Sequence, residues 1–185
     1  MHQEKESEIK NRKSNSFFTK EMHQIIKRIN LISKSDINNI YIYPLIGQLR
    51  RYILSCKIKR PALKERFHHL RRNKENFEAK EDGTYDIDSK KKISFNSGYQ
   101  VSFETKSDSY SNEEYEEIAY KMALMSDNRV YLGVYDSTSE ISFHFNDLEL
   151  AKVLSIVFNQ YSIWDWNKND EIRNSYYKEK SKILL

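Results

Sequence analysis

Residues 140–146, with the sequence EISFHFN, alternate strictly between polar and apolar side chains and are separated by a short turn from residues 129–135 (RVYLGVY). A period of two predicts a β-strand with one buried face and one polar face. Residues 99–105 (YQVSFET) alternate in the same way, and residues 161–166 (YSIWDW) are a further short strand candidate. The C-terminal half of the chain is therefore predicted to contain four strands.

Two helical patterns lie between these strands. Ser111 begins an acidic first turn, after which apolar side chains recur every three or four residues, and Asp147 precedes a second pattern of this kind. Acidic residues and caps at these positions favour helix starts. The order strand–helix–strand–strand–helix–strand predicts an α+β, ferredoxin-like βαββαβ fold, with a four-stranded antiparallel sheet and two helices on one face.

The whole chain divides into five segments that differ in composition and in the spacing of their apolar residues. Residues 1–16 are polar without periodicity and are predicted to be disordered. Residues 17–80 carry amphipathic patterns that predict a basic helical module, and residues 81–92 form a polar linker. Residues 93–167 hold the ferredoxin-like domain, and residues 168–185 form a charged tail.

Charge is distributed unevenly along the sequence. Residues 1–80 contain 19 Lys and Arg against 8 Asp and Glu, whereas residues 81–185 contain 12 against 19. The cations are densest in residues 50–74, where ten occur with a single acid, Glu65. Such density is typical of contact with nucleic-acid phosphates. The predicted phosphate-contacting residues are Arg50, Arg51, Lys57, Lys59, Arg60, Lys64, Arg66, Arg71, Arg72 and Lys74.

The polar face of the predicted sheet groups side chains that could act together. If Ser102 lies opposite Ser142, antiparallel pairing places Gln100 opposite His144 and Glu104 opposite Glu140. A histidine beside carboxylates can serve as acid and base in phosphodiester transfer, and RNA supplies its own 2′-hydroxyl nucleophile. The candidate catalytic residues of such a metal-independent ribonuclease are His144, Glu104, Gln100, Ser142 and Glu140. The alternative is that this face is solvated or covered by the N-terminal helices.

Two tryptophans, Trp164 and Trp166, flank Asp165 in the last strand. If Ile163 points to the core, both indoles lie on the polar face, where they could stack on a base. The reverse orientation places them in the core, as is common for side chains of that size.

Other features of the sequence limit the cellular setting. The single cysteine, Cys56, excludes an internal disulfide and fits a reducing cytoplasm. No apolar run approaches 18 residues, so no membrane partner is expected. No metal-ligand or nucleotide-binding motif occurs, and neither a metal nor a cofactor is predicted. Exposed edge strands would allow a homodimer.

Three stretches carry a family resemblance: residues 97–105 (SGYQVSFET), 131–145 (YLGVYDSTSEISFHF) and 162–166 (SIWDW). With its length and basic helical start, the chain resembles small type II-A anti-CRISPR proteins of Gram-positive mobile elements, of the kind that acts on the guide RNA. The resemblance implies that the basic helices engage the guide RNA or its nuclease complex in the bacterial cytoplasm, and that the RNA is bound or truncated. It assigns no catalytic residue.

Two other functions stay open from the sequence. The basic helices could form a helix-turn-helix in a DNA-binding repressor of a mobile element, although the apolar turn at residues 40–43 suits that motif poorly. A ferredoxin-like sheet could equally serve as a non-catalytic protein-interaction module, since one fold serves many functions.

Overall fold

A computed structural model describes residues 20–34, 41–55, 81–86, 89–103, 112–127, 129–136 and 138–177. The helices in these ranges are α1 (Lys20–Ser33), α2 (Ile42–Ser55), α3 (Asn112–Met125) and α4 (Leu148–Val157). The strands are β1 (Gly83–Asp86), β2 (Lys92–Ile93), β3 (Tyr99–Phe103), β4 (Tyr131–Tyr135), β5 (Thr138–Phe145), β6 (Ser162–Asp165) and β7 (Asp170–Arg173). None of these helices is both long and apolar enough to cross a bilayer.

The strands form one antiparallel sheet in the order β2-β1-β4-β5-β3-β6-β7, curved into a half-barrel. The prediction of a four-stranded ferredoxin-like sheet with two helices is therefore wrong. The segment expected to be a linker, residues 81–92, supplies β1 and the first residue of β2, and these two strands extend the sheet beside β4. The expected tail supplies β7, which pairs with β6. These added strands have at most four residues, too few to display a period of two.

The predicted register at the centre of the sheet is confirmed where it is described. Ser102 lies opposite Ser142, and Gln100 lies opposite His144. The apolar side chains of both strands face the helices, and Val101 and Phe143 are fully buried there. Since successive strand residues point to opposite faces, the polar side chains share the other face.

The core lies between the sheet and a double layer of helices. Helix α4 packs on β3, β5 and β6, while α1 and α2 pack on each other and over α4. Met22 of α1 and Leu49 of α2 are completely buried in the same cluster as Leu154 of α4. The N-terminal helices therefore share one hydrophobic core with the sheet.

Three polar contacts fix the helix ends. Asp147 caps the start of α4, because its carboxylate accepts hydrogen bonds from the backbone N–H groups of Glu149 and Leu150. The Arg50 guanidinium of α2 donates to the Val157 carbonyl at the end of α4. The Lys121 ammonium of α3 donates to the Leu54 carbonyl near the end of α2. Cations at these positions satisfy carbonyl groups that lack an intrahelical donor.

Candidate functional site

The polar face is the inner surface of the half-barrel, and it is lined with small residues at its centre. A Cβ atom added to Gly133 on β4 would lie 3.2 Å from the Ser102 hydroxyl on β3 and 3.5 Å from the Ser142 hydroxyl on β5. Strand β5 separates β4 from β3 in the sheet. Small side chains therefore let these strands curl towards one another on this face.

A chain segment that we call the strap, residues 94–98, crosses the polar face between β2 at the sheet edge and β3. The Phe95 ring stacks on the His144 imidazole, with centroids 4.0 Å apart and planes 11° from parallel. It also meets the rings of Tyr131 and Trp166 edge-on, at 5.2 and 5.5 Å. Part of the face is thus covered, but by the strap rather than by the N-terminal helices.

His144 ties the strap to β5. Its Nε2 lies 2.8 Å from the Ser97 carbonyl oxygen, which can only accept, so Nε2 carries the proton and donates. The side chain is 7% exposed. In this tautomer the basic lone pair is on Nδ1. The residue is buried and its ring is stacked on Phe95, so a substrate could reach the imidazole only after the strap had moved. The observed arrangement gives it a structural role.

Gln100 lies beside His144 and is equally buried. Its Nε2 donates to the Ser142 hydroxyl at 2.8 Å. Its Oε1, however, has no hydrogen-bond partner among the described residues, and the same is true of the buried indole Nε1 of Trp166. Trp166 meets the Phe95 ring directly, whereas Gln100 lies opposite His144, on which that ring stacks.

The predicted catalytic set is only partly brought together. Gln100, Ser142 and His144 are neighbours on the polar face. Glu140 is on the same strand as His144 but four residues away, which is about 13 Å in an extended chain. Glu104 lies outside the described residues. No group of three His, Cys, Asp or Glu residues that could hold a metal ion occurs within the described ranges.

The predicted phosphate-contacting set is described at two positions only. The Arg50 guanidinium donates a hydrogen bond to the Val157 carbonyl, whereas Arg51 is exposed. The remaining cations lie outside the described residues; they are Lys57, Lys59, Arg60, Lys64, Arg66, Arg71, Arg72 and Lys74.

The orientation of the last predicted strand is now resolved. Ile163 is buried in the core, so Trp164 lies on the polar face, directly opposite Gln100. Trp164 is 37% exposed and meets the Trp166 ring edge-on at 6.2 Å. Of the two orientations left open by the sequence, the structure adopts the one that keeps both indoles out of the hydrophobic core.

Beside Trp164 lies a surface that we call the aromatic edge: Tyr161, Trp164, Arg173 and Tyr177. The Arg173 guanidinium lies 4.0 Å from the centroid of the Tyr161 ring, which meets the Tyr177 ring edge-on at 5.2 Å. All three aromatic side chains are at least 36% exposed. Arg173 also pairs with Glu171 at 2.6 Å. Exposed aromatic faces beside a guanidinium are suited to stacking on planar ligands.

Sequence reasoning missed two members of the aromatic edge. Arg173 and Tyr177 fall in the segment expected to be a charged tail, where no apolar alternation marks a strand. The available signal was the turn-type sequence at residues 167–170 (NKND), which follows a strand and is typical of a hairpin. Asn169 has a positive φ of 54° in that turn.

A carboxylate orders the turn that follows β6, beside the aromatic edge. Asp165 accepts hydrogen bonds from the backbone N–H and the side-chain amide of Asn167, at 2.9 and 2.8 Å. The Trp166 N–H in turn donates to the Gly98 carbonyl at 2.9 Å. Burial opposes ionisation of Asp165, but the hydrogen bonds from Asn167 outweigh it and hold the pKa of this carboxyl below its ordinary value.

Acidification is expected to narrow the stability difference between the wild type and Asp165→Asn. Because the folded-state pKa of Asp165 lies below the unfolded-state value of about 3.9, the carboxylate stabilises the fold above that pH. Its contribution is lost as the pH falls through the folded-state pKa. Thermal unfolding between pH 7 and pH 3 measures the difference, with Asp136→Asn at an exposed turn as the control for losing one carboxylate. A difference that grows on acidification would contradict this assignment.

Comparison of the chain with protein-family models, with curated proteins and with solved structures yields no match.

Proposed function

We propose that this protein binds RNA through unpaired bases at the aromatic edge, and that it thereby inhibits a type II RNA-guided nuclease by occupying its guide RNA. The observation that carries the RNA-binding part is the exposed Trp164 on the polar face of the sheet, with Arg173 on the next strand. Aromatic side chains on a sheet stack on bases of any sequence, because every base has a π-face. The inhibitor role rests on the resemblance described above.

The charge pattern supports the same partner. The cations of residues 50–74 would supply the sequence-independent attraction to phosphates, whereas the aromatic edge would distinguish single-stranded from paired regions. We propose binding rather than cleavage, because the Nε2 proton of His144 is held by Ser97 and its ring is covered by Phe95. A catalytic base needs an accessible lone pair within reach of the proton that it abstracts.

Replacing Trp164 by alanine is expected to weaken guide-RNA binding by about fivefold to 150-fold, because each base stacked on an aromatic ring contributes about 1–3 kcal/mol. Fluorescence anisotropy with labelled guide RNA, measured over a series of salt concentrations, gives the affinity and the number of phosphate contacts. Tyr135→Ala is the matched control, because Tyr135 is a 71% exposed aromatic on β4, away from the aromatic edge. Equal affinity of wild type and Trp164→Ala would contradict the proposed interface.

The inhibitor role is measured in the same reactions by adding the nuclease and its target DNA. Target cleavage should fall in proportion to guide-RNA occupancy, and the guide RNA should keep its full length on a denaturing gel. Shortened RNA that becomes full-length with His144→Ala would establish cleavage instead. Strong preference for a palindromic DNA duplex would favour the repressor function, and absence of any nucleic-acid affinity at low salt would favour a protein-interaction module.

A further inference from the structure

Strand β7 is the last strand at one end of the sheet and, within the described part of the chain, it pairs on one side only, with β6. Along an antiparallel ladder, residues whose backbone groups bond to the neighbouring strand alternate with residues whose groups point away from it. The outer edge of β7 therefore presents backbone donors and acceptors at every second residue. The identity of those residues decides what the edge can pair with.

A hydrogen bond beyond the end of β7 identifies them. The Asn174 N–H donates to the Tyr161 carbonyl at 3.0 Å, and these two residues continue the register in which Ile172 lies opposite Ile163 of β6. By alternation, Ile172 also bonds to β6. The backbone N–H and C=O groups of Glu171 and Arg173 therefore point to the outer edge.

The other side of β6 gives the same answer. The Trp166 N–H donates to the Gly98 carbonyl at 2.9 Å, which by alternation directs the backbone groups of Trp164 towards β3 and away from Glu171. The Glu171 N–H accordingly donates to a side chain, the Asp170 carboxylate, at 2.8 Å.

The charges along this edge are complementary to those of a second copy of the same strand. When two copies of β7 pair antiparallel about a twofold axis at Ile172, Glu171 of each copy lies opposite Arg173 of the other. This register also pairs the edge-pointing backbone groups of both residues. The two neighbouring registers place Glu171 opposite Glu171 or Arg173 opposite Arg173, and like charges directly opposite are unfavourable.

We propose that this protein forms a homodimer in which β7 pairs with β7 of a second copy about a twofold axis at Ile172. Ile172 is half-buried against the hydrophobic core, and in the dimer it contacts Ile172 of the second copy on the helix side of the sheet. On the polar face, the Glu171–Arg173 ion pair within the chain joins that of the second copy in one charge network. An unpaired edge strand is a ready template for such pairing, and a twofold interface requires a surface that is complementary to itself.

The dimer joins two sheets into one whose polar faces lie on the same side, because the axis is perpendicular to the sheet. Trp164 of each copy is on β6, so the two indoles are three strand spacings apart on a shared surface. Formation of the dimer does not require RNA, and it is measured in the absence of RNA. Its failure would therefore leave the proposed function untouched.

The first experiment is sedimentation velocity of the full chain over a series of protein concentrations. The wild type should show a concentration-dependent change to twice the monomer mass. Glu171→Arg and Arg173→Glu should each weaken dimerisation about tenfold, because the cross-strand pairs change from attraction to repulsion. The two changes combined should restore it, since opposite charges again face each other.

Lys91→Glu is the control for reversing one charge, because Lys91 is exposed beside β2 at the opposite end of the sheet. This variant should dimerise like the wild type. A wild type that stays monomeric at every concentration would overturn the dimer, and so would a double variant that dimerises no better than the single ones.

The second experiment tests the register in a Cys56→Ser background, which removes the only cysteine of the chain. Adding Ile172→Cys places two thiols opposite each other, with Cα atoms about 4.5 Å apart, within the range of a disulfide. Mild oxidation should then give a covalent dimer on a non-reducing gel. Asp170→Cys is the matched control, because Asp170 lies opposite Asn174 of the second copy and about 13 Å along the strand from its own counterpart. A covalent dimer with Asp170→Cys in place of Ile172→Cys would overturn the proposed pairing.

Discussion

Replacement of Gly98 by alanine is expected to lower the free energy of unfolding by about 3 kcal/mol, combining backbone strain and overpacking. Gly98 has a φ of +96°, a conformation that side-chain-bearing residues rarely adopt. A Cβ atom there would lie 2.4 Å from Nε2 of His144 and 2.8 Å from the backbone oxygen of Phe145. The imidazole cannot move away without breaking its hydrogen bond to Ser97 and its stack on Phe95.

Thermal and urea unfolding of Gly98→Ala measure this loss, which corresponds to a decrease in Tm of roughly 10 °C for a domain of this size. Gly47→Ala is the matched control. Gly47 lies within α2, has an ordinary φ, and its added Cβ would meet only the mobile end of Arg51 at 3.5 Å. That variant should gain about 0.5–1 kcal/mol, because alanine favours the helix interior over glycine. A Gly98→Ala protein as stable as the wild type would show that the strap does not depend on this close approach.

The strands that could be predicted from the sequence are those whose residues alternate between apolar and polar. Residues 99–103 and 140–145 alternate between apolar and polar side chains because their apolar side chains face helix α4, and this difference in polarity between the two faces produces the period of two. Local patterning was therefore sufficient to identify the central strands and to group their polar side chains. It did not give the register: Ser102 opposite Ser142 was a supposition, and the structure has that pairing and, with it, Gln100 opposite His144.

The remaining features depend on contacts distant in sequence. Strands β1 and β7 have four residues each, and they are stabilised by pairing with β4 and β6 rather than by a pattern of their own. An alternating sequence also indicates that one face of the strand is polar, but it does not indicate which part of the chain covers that face. The Phe95 ring is about fifty residues from its stacking partner His144, so no local stretch of sequence indicates that the strap covers this face. Arg173 and Tyr177 of the aromatic edge were missed because β7 has no alternating pattern of its own.

Replacement of Lys121 by methionine is expected to lower the free energy of unfolding by about 2 kcal/mol, which is the contribution of a hydrogen bond to a charged group. Replacement by alanine should lower it by about 4 kcal/mol, because roughly three buried methylene groups are lost as well. Lys121 is completely buried on α3. Its ammonium lies 2.7 Å from the Leu54 carbonyl and 3.1 Å from the carboxylate of Glu117. Since the Leu54 carbonyl lies near the C-terminus of α2, where carbonyls lack intrahelical donors, it would be left without this donor.

The two Lys121 variants separate the charge from the packing, and a surface lysine provides the control. Lys34 pairs with Glu149 at 3.3 Å, but its side chain is 62% exposed, so Lys34→Met should cost less than about 1 kcal/mol. Urea unfolding of all three variants gives the free energies. Hydrogen exchange of the α2 amides tests the mechanism, because loss of the Lys121 contact should accelerate exchange at the end of α2 before it affects β5. If Lys121→Met were as stable as the wild type, the attachment of α2 would rest on its apolar face and on the Arg50 contact, without a contribution from Lys121.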